Sequence, residues 1–82
     1  MSKRIEIEYL GSLIEVYNSA SKVSLVINGQ IVDEHRGLKW FTIDLYGSIA
    51  GGKRIHLKWR LWSPTLNLYC GDFLIARKWI LF

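Results

Sequence analysis

The chain of 82 residues has a single cysteine, a single proline and no long uninterrupted run of apolar residues. One cysteine excludes an internal disulfide framework, and one proline excludes a proline-rich linker. A membrane-spanning helix needs about 20 consecutive apolar residues, so no membrane partner is expected. Because no signal-peptide pattern opens the sequence, we expect a cytoplasmic protein.

Half of the residues are nonetheless hydrophobic and 13% are aromatic, so the chain has enough apolar surface to fold. The length fits one hydrophobic core, which predicts a single domain over residues 1–82. Apolar and polar residues alternate along most of the chain, as Ile5, Ile7 and Tyr9 do with their charged neighbours. This alternation is typical of half-buried strands, and no segment has the period of a helix. The sequence therefore predicts an all-β protein.

The strongest local signal is the dipeptide Asn28-Gly29 between two β-rich runs. This dipeptide is preferred at the centre of a type I′ turn because both residues tolerate positive φ. A two-residue loop would pair Ile27 with Gln30 and Leu25 with Val32. The segment is therefore predicted to be a β-hairpin, followed by a charged connection over residues 34–39.

Further strands are predicted in the second half of the chain. Residues 40–46 and 53–62 alternate as strands on either side of a glycine-rich loop, and residues 65–79 form a final hairpin. The sequence leaves open whether the loop of that hairpin is Cys70-Gly71 or Gly71-Asp72. In either case the apolar residues on its inner face are Leu66, Leu68, Phe73 and Ile75.

About eight short strands without a helix predict an antiparallel β-sandwich, because each sheet must bury one face against another layer. A small closed β-barrel is the alternative. Residues 5–36 and 41–77 each contain four of these strands and end in a hairpin. This recurrence indicates two four-strand pseudo-repeats, although hairpins recur in any all-β chain.

The order of these elements resembles that of a known family. A Val/Leu-x-Ile-Asn-Gly-x-x-Val hairpin at residues 25–32 is followed by an aromatic strand, a basic strand and a final hairpin. This order is similar to the fold of the Fas apoptotic inhibitory molecule family. The resemblance implies an antiparallel β-sandwich without enzymatic activity, and it carries over no functional residues.

Charge is unevenly distributed along the chain. Residues 53–82 carry six lysines and arginines but only one acidic residue, Asp72. One predicted strand places a basic side chain at every second position, which makes it a candidate binding stripe for a polyanion such as single-stranded nucleic acid. Such a stripe is more often a solvated strand face or a cross-strand partner for acidic residues. The candidate anion-binding residues are Arg54, His56, Lys58 and Arg60.

Large aromatic side chains fall on outward positions of the predicted strands or at their ends. Leaving such a side chain in water forgoes about 1.5–3 kcal/mol, so outward aromatics mark interfaces, although some fit the rim of a small sandwich. We therefore predict a function in protein binding, through self-association or a protein partner, with polyanion binding as the alternative. The predicted contact residues are Trp40, Tyr46, Trp62, Tyr69 and Trp79.

Signals for catalysis, metals and cofactors are weak. Residues 47–53 fit the phosphate-binding pattern G-x-x-x-x-G-K, but Arg54 stands where that motif requires Ser or Thr, and a strand pattern follows instead of a helix. Residues 47–52 are therefore predicted to form a hairpin loop, with Lys53 beginning the next strand. Asp33 and His35 share a strand face and, even with His56, make a poor set of metal ligands. We predict no enzymatic activity, no metal and no cofactor.

Overall fold

The computed structural model describes residues 2–19, 21–37, 42–60, 62 and 65–79, which form two four-stranded antiparallel sheets. The strands are β1 (Ser2–Tyr9), β2 (Ser12–Asn18), β3 (Lys22–Ile27), β4 (Gln30–Arg36), β5 (Thr42–Ile49), β6 (Lys53–Arg60), β7 (Thr65–Cys70) and β8 (Phe73–Trp79). The predicted all-β fold of eight strands in two layers is confirmed. The alternative of a closed barrel is wrong, because hydrogen-bonded pairing stops at the edges of each sheet. In the described part of the chain, no helix has the length and apolar character needed to cross a membrane.

Each sheet is a simple meander, with strands in the order β1-β2-β3-β4 and β5-β6-β7-β8. The two predicted four-strand units are therefore the two sheets, and the chain passes from one to the other between β4 and β5. At one side of the sandwich β5 lies beside β3 and β4, and at the other side β8 lies beside β1. We call the β1–β4 layer the first sheet and the β5–β8 layer the second sheet.

The core lies between the inner faces of the two sheets and is built by the period-two alternation of the strands. Alternate residues of β2 and β6 point inward, so Ile14 and Val16 of the first sheet meet a matching set from the second. Burial of a side chain of this size contributes about 1.5–3 kcal/mol relative to exposure. The core side chains with no exposed surface are Ile14, Val16, Leu25, Ile55, Leu57 and Leu68.

The two hairpins that end the sheets have two-residue loops of different type. Asn28 and Gly29 both have positive φ, 50° and 82°, as the predicted type I′ turn requires. The loop of the second hairpin is Gly71-Asp72, which settles the choice that the sequence leaves open. There only Gly71 has positive φ, at 59°, as in a type II′ turn.

A β-bulge interrupts each of these hairpins at the same position. Leu25 lies opposite Asp33, so the predicted pairing of Leu25 with Val32 is wrong. In the second hairpin Leu68 lies opposite Ala76 in the same way, with one extra residue before it. A bulge adds an unpaired residue to one strand and reverses the inward and outward parity beyond it. The hydrophobic alternation of the sequence therefore predicts the faces correctly only up to each bulge.

The second hairpin also departs from its predicted inner face at Phe73. This side chain lies opposite Cys70 directly after the turn and is 76% exposed. The Phe73 side chain therefore lies beyond the end of the core, although its position in the strand alternation is on the inner face.

Two strands are longer than predicted. The segment 34–36, predicted as a connection, continues β4, and its pairing is supported by a hydrogen bond of 3.1 Å from Ser24 Oγ to Glu34 Oε2. The predicted loop 47–52 is a strand as far as Ile49 and a short turn over Ala50–Gly52. Because β6 follows this turn directly, the G-x-x-x-x-G-K segment belongs to an antiparallel hairpin, as expected, and lacks the helix of a phosphate-binding loop.

Gly47 is a strand residue for a packing reason. A Cβ atom at this position would lie 2.8 Å from both Ile27 Cδ1 and Val32 Cγ2 of the first sheet. A side chain at this position would force Ile27 and Val32 to shift. The glycine that sequence patterns assign to a loop therefore suits the close contact between the layers.

Candidate interaction surface on the second sheet

One residue from each strand of the second sheet forms a continuous row across its outer face. Tyr46 lies opposite His56, His56 opposite Tyr69, and Tyr69 opposite Leu74. His56 and Tyr69 each lie between two buried residues of their strands, and Tyr46 follows the buried Leu45, so these three side chains point away from the core. We call Tyr46, His56, Tyr69 and Leu74 the aromatic row.

The rings of the aromatic row stand side by side. The ring centroids of Tyr46 and His56 are 4.5 Å apart with an interplanar angle of 15°, and those of His56 and Tyr69 are 6.1 Å apart at 38°. Tyr46 and His56 are stacked at about the spacing of neighbouring strands, so the ring of Tyr46 covers one face of His56, whereas the ring of Tyr69 is tilted against the other side. Tyr46 remains 47% exposed and Leu74 remains 43% exposed. The row is thus a line of mostly apolar side chains whose two end residues, Tyr46 and Leu74, are accessible to solvent.

Asp44 holds two of the predicted basic residues in place. His56 Nε2 donates to Asp44 Oδ1 at 2.7 Å, and Arg60 Nη1 donates to the same oxygen at 3.1 Å. Partial burial raises the pKa of the Asp44 carboxyl, but these two hydrogen bonds outweigh burial and hold the pKa below its ordinary value of 3.8. Since an ionised carboxylate only accepts, the proton in the first bond is on His56 Nε2. The ring of His56 is therefore fixed within the row.

The outer face around the row is basic. Arg54 and Lys58 flank His56 along β6, and the described residues show no ion pair for either of them. Arg77 of β8 donates from Nε to Asn67 Oδ1 at 2.9 Å. By strand register, four cations face outward on this sheet against the single carboxylate of Asp44.

The structure brings together parts of both predicted sites. Tyr46 and Tyr69, predicted as contact residues, lie on the same face as the predicted basic stripe. Trp62 is separate, because β6 ends at Arg60 and Trp62 lies in the following turn, where it is 72% exposed. Trp40 and the side chain of Trp79 lie outside the described residues.

The basic stripe is less available to an anion than the sequence predicts. All four of its residues lie on β6, but His56 and Arg60 are hydrogen-bonded to Asp44. Neither Asp44 nor Leu74 is assigned a role by the sequence pattern. Their outward parity was readable, but their neighbours depend on the register between strands, which alternation alone does not specify.

Asp33, which the sequence includes in its poor set of metal ligands, has backbone partners in the structure. Asp33 accepts backbone hydrogen bonds from Tyr46 N at 2.9 Å and from Glu34 N at 2.8 Å. Within the described ranges, no three His, Cys, Asp or Glu side chains are grouped so as to hold a metal ion. The thiol of Cys70 is on the inner face and buried.

No family model, curated protein or solved structure matches the chain at a significant level. The resemblance to the Fas apoptotic inhibitory molecule family therefore stays a prediction from the order of the elements.

Proposed function

We propose that this protein is a non-catalytic binding domain that associates with a second copy of the same chain through the outer face of its second sheet. The observation that supports this proposal is the aromatic row, which runs in register across all four strands of that sheet. No strand of the described part of the chain lies over it.

The composition of this face fits a protein interface. Interface centres are enriched in aromatic residues and are surrounded by a polar rim. Here Tyr46 and Leu74 are nearly half exposed at the ends of the row, and Arg54 and Lys58 lie beside it. Covering apolar surface of this kind contributes about 25 cal/mol per Å² removed from water. The fixed ring of His56 reduces the entropy that ordering the contact would cost.

The same geometry makes the ring of His56, at the centre of the basic stripe, a poor platform for nucleobases. Single-strand binding proteins stack bases on open aromatic faces. In the row, Tyr46 covers one face of the His56 ring at a centroid distance of 4.5 Å, and Tyr69 lies on its other side. A base therefore has no open face of His56 on which to stack. A protein surface, which contacts ring edges as readily as faces, fits this arrangement better.

The experiment is sedimentation velocity over a dilution series of the wild-type protein, Tyr46→Ser and Trp62→Ser. The proposal predicts reversible association of the wild type and a dissociation constant about tenfold weaker for Tyr46→Ser, which corresponds to about 1.4 kcal/mol. Trp62→Ser is the matched control, because it also removes an exposed ring but one outside the row. A wild type that stays monomeric at every concentration, or a greater loss in Trp62→Ser, contradicts the proposal.

Polyanion binding is a second candidate, supported by the side chains of Arg54 and Lys58, for which the described ranges contain no ion pair. The measurement is the fluorescence anisotropy of labelled single-stranded DNA at increasing salt. Two phosphate contacts predict a slope of log K against log salt of about −1.4, and Arg54→Gln reduces its magnitude by about 0.7. Arg36→Gln is the control, since Arg36 lies in the first sheet and pairs with Glu34. A flat slope removes this candidate.

A further inference from the structure

The first sheet carries its own row across its outer face, at positions equivalent to the aromatic row. Glu6 lies opposite Glu15, Glu15 opposite Val26, and Val26 opposite Ile31. The equivalence follows from the hairpins, because Val26–Ile31 and Tyr69–Leu74 are each the second pair from the loop. We call Glu6, Glu15, Val26 and Ile31 the acidic row.

The two rows differ in charge. In the acidic row, Glu15 accepts from Tyr17 Oη at 2.8 Å and pairs with Lys3 at 3.1 Å, contacts that lower the pKa of its carboxyl. Lys3 also pairs with Glu6, so one cation serves two carboxylates. At the other end of the row Ile31 is 59% exposed, beside a shallow hollow of about 280 Å³.

The outer faces as wholes have opposite excess charge. By strand register, the first sheet presents four carboxylates (Glu6, Glu8, Glu15 and Glu34) against three cations (Lys3, Lys22 and Arg36). Arg4 lies at the bulge of β1, where the register assigns it to neither face, and its Nε is buried. The second presents four cations (Arg54, Lys58, Arg60 and Arg77) against Asp44. Glu8 is exposed and has no ion pair among the described contacts, as is also true of Arg54.

Charge decides which surfaces of two copies can meet. Two second-sheet faces brought together would place Arg54 and Lys58 of one copy against the same cations of the other. Like charges that face each other across a protein interface oppose association, whereas opposite charges favour it. A surface with excess carboxylates can instead form ion pairs with Arg54 and Lys58, which have none within the described part of the chain.

We infer that the second copy is bound through its first sheet, so that the aromatic row of one molecule packs on the acidic row of the next. This inference rests on the proposed self-association and specifies its partner surface. The exposed side chain of Ile31 and the hollow beside it receive the apolar part of the aromatic row, and Glu6 and Glu8 approach Arg54 and Lys58.

The contact has a consequence for the size of the assembly. The outer faces of a sandwich point in opposite directions, so a molecule bound through one face leaves its other face free. Such a head-to-tail contact does not close after two copies and adds further copies in a line. The weight-average mass therefore keeps rising with concentration past that of a dimer, and falls when salt screens the charges.

The experiment is a charge swap between two double variants. The first variant carries Arg54→Glu and Lys58→Glu on its second sheet, so both of its outer faces are acidic. The second variant carries Glu6→Lys and Glu8→Lys on its first sheet, so both of its outer faces are basic. Each variant alone has like charges at every contact, so its association is expected to weaken about tenfold or more. An equimolar mixture restores association, because each outer face of one variant then meets an oppositely charged face of the other.

Sedimentation velocity on the variants and on their mixture separates the outcomes. Circular dichroism first confirms that both variants keep the β fold, which is expected because all four substituted side chains are on outer faces. If the wild type associates but the mixture stays monomeric, the pairing of the faces is wrong and the proposed self-association stands. If the wild type assembly stops at a dimer, the head-to-tail contact is contradicted. If the wild type itself is monomeric, the proposed function is contradicted.

Discussion

The two sheets are built on the same plan and differ in what they present outward and at their edges. Each is a four-strand meander that ends in a hairpin with a two-residue loop. A bulge follows the second residue pair of each hairpin, so that Leu25 lies opposite Asp33 and Leu68 lies opposite Ala76. The inner faces are interchangeable in character, since both supply fully buried aliphatic side chains. The outer rows are carboxylate-rich in one sheet and aromatic in the other. The shared plan therefore accounts for the fold, and the differences carry the candidate function.

The edges where the sheets meet differ as well. At the β4–β5 edge, the Asp33 carboxylate accepts from the backbone of both strands. The equivalent residue in β8 is Ala76, which has no acceptor to offer at the β8–β1 edge. Gly47 of β5 is equivalent to Ile7 of β1 by register. Ile7 pairs with Ile14, which pairs with Ile27 just before the first hairpin loop. Gly47 pairs with Ile55, which pairs with Cys70 just before the second. At the β4–β5 edge the layers are therefore close together and joined through Asp33. At the β8–β1 edge the side chain of Ile7 packs against the core.

The largest expected effect tests whether the two halves of the core are equivalent. Leu25→Ala and Leu68→Ala each remove a side chain with no exposed surface. Each substitution is expected to lower the free energy of unfolding by about 2–5 kcal/mol, because it leaves a cavity in the shared core. The measurement is urea unfolding, with Leu74→Ala as the exposed control. A loss at one leucine and none at the other would contradict their equivalence.

Gly47 tests the close approach at the β4–β5 edge. Gly47→Val places methyl groups where Ile27 and Val32 already lie, so we expect a loss of about 1–3 kcal/mol from overpacking. Ser48→Val is the matched control on the exposed side of the same strand and is expected to change stability by less than about 0.5 kcal/mol. Equal unfolding midpoints for the two variants would show that the sheets are not in contact at Gly47.

Asp33→Ala places at the β4–β5 edge the same residue type as Ala76, its equivalent at the β8–β1 edge. It removes the acceptor for the amides of Tyr46 and Glu34. Hydrogen bonds to a charged group contribute about 1.5–3 kcal/mol, and the loss is expected near the lower end because Asp33 is only half-buried. Hydrogen exchange at the Tyr46 amide measures this directly and is expected to become faster. Unchanged exchange in this variant contradicts the bridge.

Asp44 gives the smallest effect, through pH. Its folded-state pKa lies below the ordinary 3.8, so its contribution to stability is complete above that value and is lost as the pH falls through the lower folded value. Asp44→Asn removes the contribution at neutral pH and flattens the acid limb of the stability curve below 3.8. Urea midpoints across the acid range test this, and a variant curve parallel to that of the wild type contradicts it.

Alternation and turn chemistry allowed the fold class, the number of strands and the inner faces as far as each bulge to be predicted. Asn28-Gly29 located one hairpin because its preference for positive φ is local to the dipeptide. The bulges were not predictable, since each depends on packing between layers that a sequence pattern does not contain. Gly47 was misassigned for the same reason.

The candidate site was predicted in part. Outward parity placed Tyr46 and Tyr69 on one face with the basic stripe of β6. The register that sets Tyr46 beside His56, and Asp44 within reach of His56 and Arg60, is a property of paired strands and not of either strand alone. The complementary row on the first sheet became visible only when both registers were compared.

The exposed face of the second sheet is, in our proposal, a contact between copies of the chain. Small-angle X-ray scattering or sedimentation over a dilution series of the wild type and Tyr46→Ser measures this directly. We predict a mass that rises with concentration from 9.5 kDa for the wild type, and a rise that begins at about tenfold higher concentration for the variant. A wild type that remains at the monomer mass throughout, or a variant that associates equally well, would contradict the central claim.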